Sequence, residues 1–413
     1  MTTTAAGSVD LASPDTFVNG VPHEALSLLR RTDPVHWQPM EGEPGYWAVL
    51  RHADVIEVAR HPEIFSSAEG GVVVENVAPQ TLARVRNMLL AMDPPRHTVH
   101  RGPVSLHFRP RVIARLEQRV HEICRSIMTE ARERSEVEFV GEVASPLPTR
   151  VIGELFGLPP QDWGYLHDLA ERITSSQDPD LGGPEADDAT GGVEMAAYAT
   201  QFAEARRRSD PTDDLTNAIL ETHFGGRPMS DVEFGGFFMQ LVTAGNDTTK
   251  GLLASGLLTL LRHPDQLAEL RADPSLLPRA VEEIIRYDNP LHYFRRTALV
   301  DTTLSGTRIS AGDKVAMYYT SANRDDEVFD DPQAFDIHRH PNPHLSFGFG
   351  GHYCLGVHLA RLEARVFFQH LLDTFSHVEL IGEPVRIRSN LNNSLKRLPV
   401  RLIAADGRRG HET

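Results

Sequence analysis

The stretch from Ser230 to Leu261 constrains this chain more than any other. Ser230 and Glu233 make a capping box, in which hydroxyl and carboxylate each satisfy a backbone N–H that the first helical turn leaves unpaired. Apolar residues continue until His263-Pro264 stops the helix. That is about thirty residues, long for a globular helix, and a helix of that length crosses a whole domain. Further helical signals run from Ala53 to Arg60, over 111–134 and over 275–287, the first and last ended by His61-Pro62 and Asn289-Pro290. Strand signals are short, at Tyr46–Leu50 and over 303–319, and a Pro- and Asp-rich meander follows from Asn323 to Pro343. Helix dominates, and the strand–helix alternation of a parallel sheet is missing. We expect one large, mainly α domain with a minor β region over 21–405, a flexible polar lead over 1–20 and a short tail over 406–413. Two loose stretches, 66–80 and 175–192, read as long loops, and the second separates two helix-rich blocks.

The 413 residues carry 57 acidic and 41 basic side chains, a formal net charge of −16, which argues against a nucleic-acid partner. The longest apolar run, Gly251 to Leu261, is far short of the ~20 residues a membrane span needs. The N-terminus lacks the basic start and apolar core of a secretory signal, and two cysteines make no disulfide framework. A cytoplasmic protein is expected.

One of those cysteines has unusual company. In SFGFGGHYCLGVHLAR (346–361), Cys354 sits among Gly348, Gly350, Gly351 and Gly356, residues poor for simple packing. Gly356 permits a tight turn in which backbone N–H groups point at the sulfur. The helix-like run that follows reads as beginning at the cysteine, where its positive end favours thiolate. Such a thiolate is a metal ligand or a nucleophile. Paired with His352, two residues away, it would not readily form a catalytic dyad, and zinc lacks further ligands at suitable spacing. A single thiolate beneath a planar cofactor suits haem iron. Cys124, in an amphipathic helix, reads as core.

Phe347, Gly350, His352, Cys354 and Gly356, with Gly348 beside them, resemble the haem-binding signature of the cytochrome P450 family, His352 standing where many members carry arginine. Other motifs follow in the family's order, so the resemblance runs from about residue 45 to residue 402. His97 and Arg101, four apart, resemble the pair that grips the haem propionates. Arg296 in FRRTA resembles a third partner, with Arg295 as the competing assignment, and His352 would be a fourth. Glu283 and Arg286 resemble the ExxR pair, an ion pair holding the loop around the cysteine, which His344 also helps to order. LVTAGNDTTKG (241–251) resembles the oxygen-activation helix. There Gly245 asks for a reason, and a flat ligand lying against Ala244 and Gly245 is one. The Thr248 hydroxyl can bond back to the Ala244 carbonyl. Asp247 and Thr248 match the acid–alcohol pair that delivers protons; Thr249 is the alternative to Thr248.

The resemblance implies a triangular-prism fold with haem b between the long helix and the cysteine loop. It implies a monomeric monooxygenase that hydroxylates an unactivated C–H bond with dioxygen and electrons from NAD(P)H. Those electrons would arrive through ferredoxin reductase and ferredoxin, docking near Arg109, Arg111, Arg361 and Arg365. Peroxide-driven oxidation, oxidative coupling or a non-catalytic haem sensor are the alternatives. A pocket lined by Val73, Leu90, Leu241, His292, Phe294 and Asn392 would be mostly apolar. The SSAEGG loop and AGNDTTK…FRRTA look most like bacterial members acting on sterols, terpenoids or branched fatty chains.

Overall fold

The computed structural model describes residues 9–182 and 188–405, with the side chains of 188–190 left aside. At its centre runs the helix Asp231–Arg262, 32 residues long, started by the capping box of Ser230 and Glu233. At 1.5 Å per residue it spans roughly 48 Å. Almost every side chain from Gly251 to Leu260 is buried, because other helices cover this helix on several sides. The helices Trp163–Thr174 and Asp188–Arg208 pack on one flank and Pro146–Leu155 beside them. On the other flank lie Leu277–Tyr287 and Val357–Thr374, the cysteine helix, the latter also packed on Glu117–Arg132. These helices share one large apolar core.

A five-stranded sheet covers one end of the site. Its strands are β1 (Val35–Met40), β2 (Glu43–Val49), β3 (Phe65–Ser66), β4 (Tyr293–Ala298) and β5 (Lys314–Tyr318), in the order β1-β2-β5-β4-β3. β5 runs parallel to β2 and antiparallel to β4, pairing Val315 with Arg296 and Met317 with Phe294. Side chains alternate across a strand, so Phe294, Arg296 and Met317 share the face turned to the interior. The mainly α architecture with a minor β region is as expected.

Three expectations are corrected. The lead is not loose from residue 9 on: Leu11 and Phe17 are buried, and Leu11 N–H donates to Gln38 Oε1 at 3.0 Å. Residues 1–8 and the tail 406–413 lie outside the described residues. The loop expected over 175–192 ends early, because a helix is under way at Asp188; residues 183–187 lie outside the described residues. The cysteine helix begins at Val357 with Gly356 as its N-cap, so Cys354 belongs to the preceding loop. Among the described residues no helix is long and apolar enough to cross a membrane.

Candidate active site

The cysteine loop is shaped by backbone constraints. Gly350 adopts φ +70°, and a Cβ there would lie 2.8 Å from the Ala59 carbonyl oxygen, so no other residue fits. The Cys354 N–H donates to the Phe347 carbonyl at 2.8 Å, closing the loop on itself. Its lead-in is pinned by Asn323, which accepts from Leu345 N–H at 2.7 Å and donates to Ser346 Oγ at 2.8 Å. The Gly356 N–H points at the sulfur as expected. Burial pushes the thiol up nonetheless, and that N–H, Arg101 and Arg361 oppose the rise.

Glu283 and Arg286 are both fully buried and paired through two bonds of 2.8 and 2.7 Å. Arg286 also donates to the carbonyls of Asn323, Pro332 and Ala334, while Asn342 and Arg339 donate to Glu283. The pair thus holds the meander, and through Asn323 the cysteine loop. His344 meets Glu282 at 3.1 Å, beside Arg361.

Facing Cys354 across one cavity are Ala244, Gly245, Thr248 and Thr249 of the central helix. Thr248 Oγ1 donates to the Ala244 carbonyl at 2.6 Å, the back-bond expected from the spacing. Gly245 lines the cavity, and it has a second reason besides: a Cβ there would sit 2.6 Å from Ile152 Cδ1, so the helix Pro146–Leu155 would have to give way to a larger residue. Asp247 turns away from the cavity. Its carboxylate accepts from Thr174 Oγ1 and lies 3.0 Å from Lys250 Nζ, which reaches Glu171 at 2.6 Å. Burial opposes the charge of Lys250, but Asp247 and Glu171 outweigh it and raise its pKa.

At the sheet end the rings of His97 and His352 lie 4.2 Å apart, next to Arg296 and Arg101. Burial, then Arg101, lowers His97 to about 4; burial, then Arg296, lowers His352 to about 2. Burial and the neighbouring arginines thus work against a charge on either imidazole. Arg101 donates to the Tyr353 carbonyl and Arg296 to the Arg295 carbonyl, and both line the cavity. Arg295 points the other way, to the carbonyls of Val73 and Glu75, as strand alternation requires. The buried His97 Nε2 has no partner among the described residues. An unpartnered buried His97 Nε2, the buried Arg296 and the half-buried Arg101 near one cavity, with a lone cysteine on its wall, fit a group bearing carboxylates and taking one thiolate.

Of the expected substrate contacts, Leu90, Leu241 and Phe294 line the cavity, as do Phe347 and Gly348 of the cysteine loop. Three do not. Val72 takes the place of Val73, whose carbonyl is held by Arg295. His292 is fully buried against Phe17, ring centroids 4.1 Å apart, with burial lowering it to about 3. Asn392 is buried and its Oδ1 accepts from Ser394 N–H. Sequence reasoning missed Gln240, Phe108 and Glu363; Gln240, one helical turn before Ala244, was within reach of a period-3.6 argument. The expected basic dock also changes. Arg361 is clamped by Glu282 through two 2.6 Å bonds and Arg365 pairs with Glu117, whereas Arg109 and Arg111 are exposed.

This geometry agrees with what the chain resembles. The cytochrome P450 family model matches residues 193–401. A steroid C26-monooxygenase of Rhodococcus jostii is 35% identical over 408 residues, covering 96% of this chain and 85% of the relative. A methyl-branched lipid omega-hydroxylase of Mycobacterium bovis is 38% identical over 406 residues, covering 95% and 93%. A Mycobacterium marinum cytochrome P450 solved in complex with pseudoionone superposes with TM-score 0.90 at 35% identity, covering 97% of this chain and all of that one. The chain belongs to the cytochrome P450 family and is a P450 monooxygenase, with the haem and redox-supplied electrons that the family implies.

Proposed function

We propose that this P450 hydroxylates a steroid, terpenoid or fatty-acid-like substrate, using haem b ligated by Cys354 and electrons from NAD(P)H. Single-copy action in the cytoplasm, within one catalytic domain over 21–405, is part of the same reading. The observation that carries it is the shared cavity with Cys354 on one wall and the Ala244–Thr248 back-bond on the other. Haem bound there supplies the activation of dioxygen. Arg101, Arg296, His97 and His352 would hold its propionates, the imidazoles donating N–H groups and the guanidiniums supplying charge.

The chain's own residues then have separable tasks. Thr248 keeps a hydroxyl proton at the cavity wall, ready to be donated when Oγ1 releases the Ala244 carbonyl. Asp247 restores that proton by letting go of Thr174 and Lys250, taking up a proton from solvent and passing it to Thr248. Leu90, Leu241 and Phe294 exclude water and accept an apolar substrate. The steroid and the methyl-branched lipid for which the relatives are named support that class.

Thr248→Ala should keep substrate binding and NAD(P)H consumption while most of the electrons appear as hydrogen peroxide instead of product. Asp247→Asn should slow turnover with binding intact. Product formed per NAD(P)H, with peroxide counted, reads this; unchanged coupling in both variants would remove the central helix from the mechanism.

A further inference from the structure

We propose that Gln240 is the polar anchor of the substrate cavity and takes a neutral carbonyl oxygen, of a ketone or ester, at the end of the substrate remote from the oxidised carbon. This rests on the apolar-substrate reading above and adds polarity and direction to it. Gln240 lies on the cavity-lining face of the central helix, four residues before Ala244 and eight before Thr248. Its neighbours at that end of the cavity are Leu89, Leu90 and Leu241.

The orientation of its amide is set by chemistry. The Leu90 backbone N–H can only donate, and it donates to Gln240 Oε1 at 3.1 Å. The oxygen is therefore engaged, and the NH2 group is the free end. Among the described residues Nε2 has no hydrogen-bond partner, and it is not sealed in the protein interior. A half-buried donor lining an apolar cavity is a site for an acceptor. The cavity's guanidiniums, Arg101 and Arg296, act on His352 and bond the Tyr353 and Arg295 carbonyls, and among the described residues no cation bonds Gln240, so nothing at its amide favours a carboxylate.

Helix geometry sets the length. Eight residues separate Gln240 from Thr248, which is about 12 Å along the axis, and the glutamine side chain leans further toward the N-terminus. A substrate holding an acceptor at Gln240 thus presents to the Thr248 end a carbon lying most of a medium-length chain, or of a fused-ring nucleus, away. Hydroxylation near the terminus remote from the carbonyl follows.

The test uses the haem-loaded protein with 2-undecanone and undecane, alike in length and differing by a carbonyl in place of one methylene. Gln240→Glu keeps an acceptor for the Leu90 N–H and removes the donor; Gln240→Leu removes both. Spin-state titrations should show the ketone weakened about tenfold in either variant, the size of one hydrogen bond, with undecane changed less than twofold. Wild-type hydroxylation should fall near the methyl end remote from the carbonyl and spread along the chain in both variants. Equal effects on the two probes, or ketone binding and regiochemistry untouched in both variants, would overturn the anchor alone. Failure of wild type to bind either probe, with a normal haem spectrum, would overturn the apolar-substrate reading and the anchor with it.

Discussion

Glu363 is a carboxyl with nowhere to put a charge. It lines the cavity from the cysteine helix, is 2% exposed, and its Oε2 has no partner among the described residues. Burial pushes its pKa up to about 8. In the unfolded chain it ionises in the ordinary carboxylate range, so between that range and pH 8 the folded protein holds the extra proton. Stability from this group is therefore full at low pH and falls as pH rises toward 8. Glu363→Gln should flatten that decline, raising the melting temperature at pH 8 relative to wild type more than at pH 5. Parallel curves for the two proteins would show that Glu363 is charged in the folded state. Nothing in the sequence singled this residue out, since burial of one helical position depends on what packs opposite. Cys354 was legible because its glycines serve no packing purpose. The choice between Arg295 and Arg296 was not, because two adjacent strand residues always face opposite ways and only the register decides which faces the cavity.

Between the helix Trp163–Thr174 and the central helix runs a polar seam inside an otherwise apolar contact. His167, Glu171 and Thr174 face Asn246, Asp247 and Lys250. Lys250 is buried between two carboxylates, so removing it leaves Asp247 with an uncompensated charge. Lys250→Met should destabilise the haem-loaded protein by about 3 kcal/mol, at the low end for a broken buried pair because Glu171 is partly exposed. Asp247→Asn in the same background should recover part of the loss. Denaturant unfolding reads both; a Lys250→Met protein within about 0.5 kcal/mol of wild type, a typical surface effect, would mean the seam is water-screened. The central helix itself was readable from its capping box and its length. The outward turn of Asp247 was not read, although the position one step before Thr248 is rotated about 100° away from the i, i+4 stripe of Gln240, Ala244 and Thr248.

For the molecule as a whole the net charge is −16, so a basic dock for an acidic partner has to be a local patch. Arg109 and Arg111 are exposed at the N-cap and within the short helix Pro110–Ile113, which packs on the cysteine helix. Arg361 and Arg365 are neutralised by Glu282 and Glu117, so reversing them would break internal pairs and blur any docking effect. The informative variant is Arg109→Glu with Arg111→Glu. It should slow reduction by an acidic ferredoxin at low salt and flatten the fall in rate as salt rises. Identical rates for both proteins across salt would place the dock elsewhere. The mainly α make-up with a minor sheet followed from helix length and turn signals and the prism only from the family resemblance, whereas the burial of Leu11 and Phe17 followed from neither, because it depends on β2 and β5 meeting far along the chain.

The central claim is that Cys354 is the axial ligand, and the reduced protein under carbon monoxide tests it most directly. Wild type should show the strongly red-shifted Soret band that thiolate ligation gives, and Cys354→His should lose that band while the propionate cradle still retains haem. A thiolate-type band that survives Cys354→Ala would contradict the account.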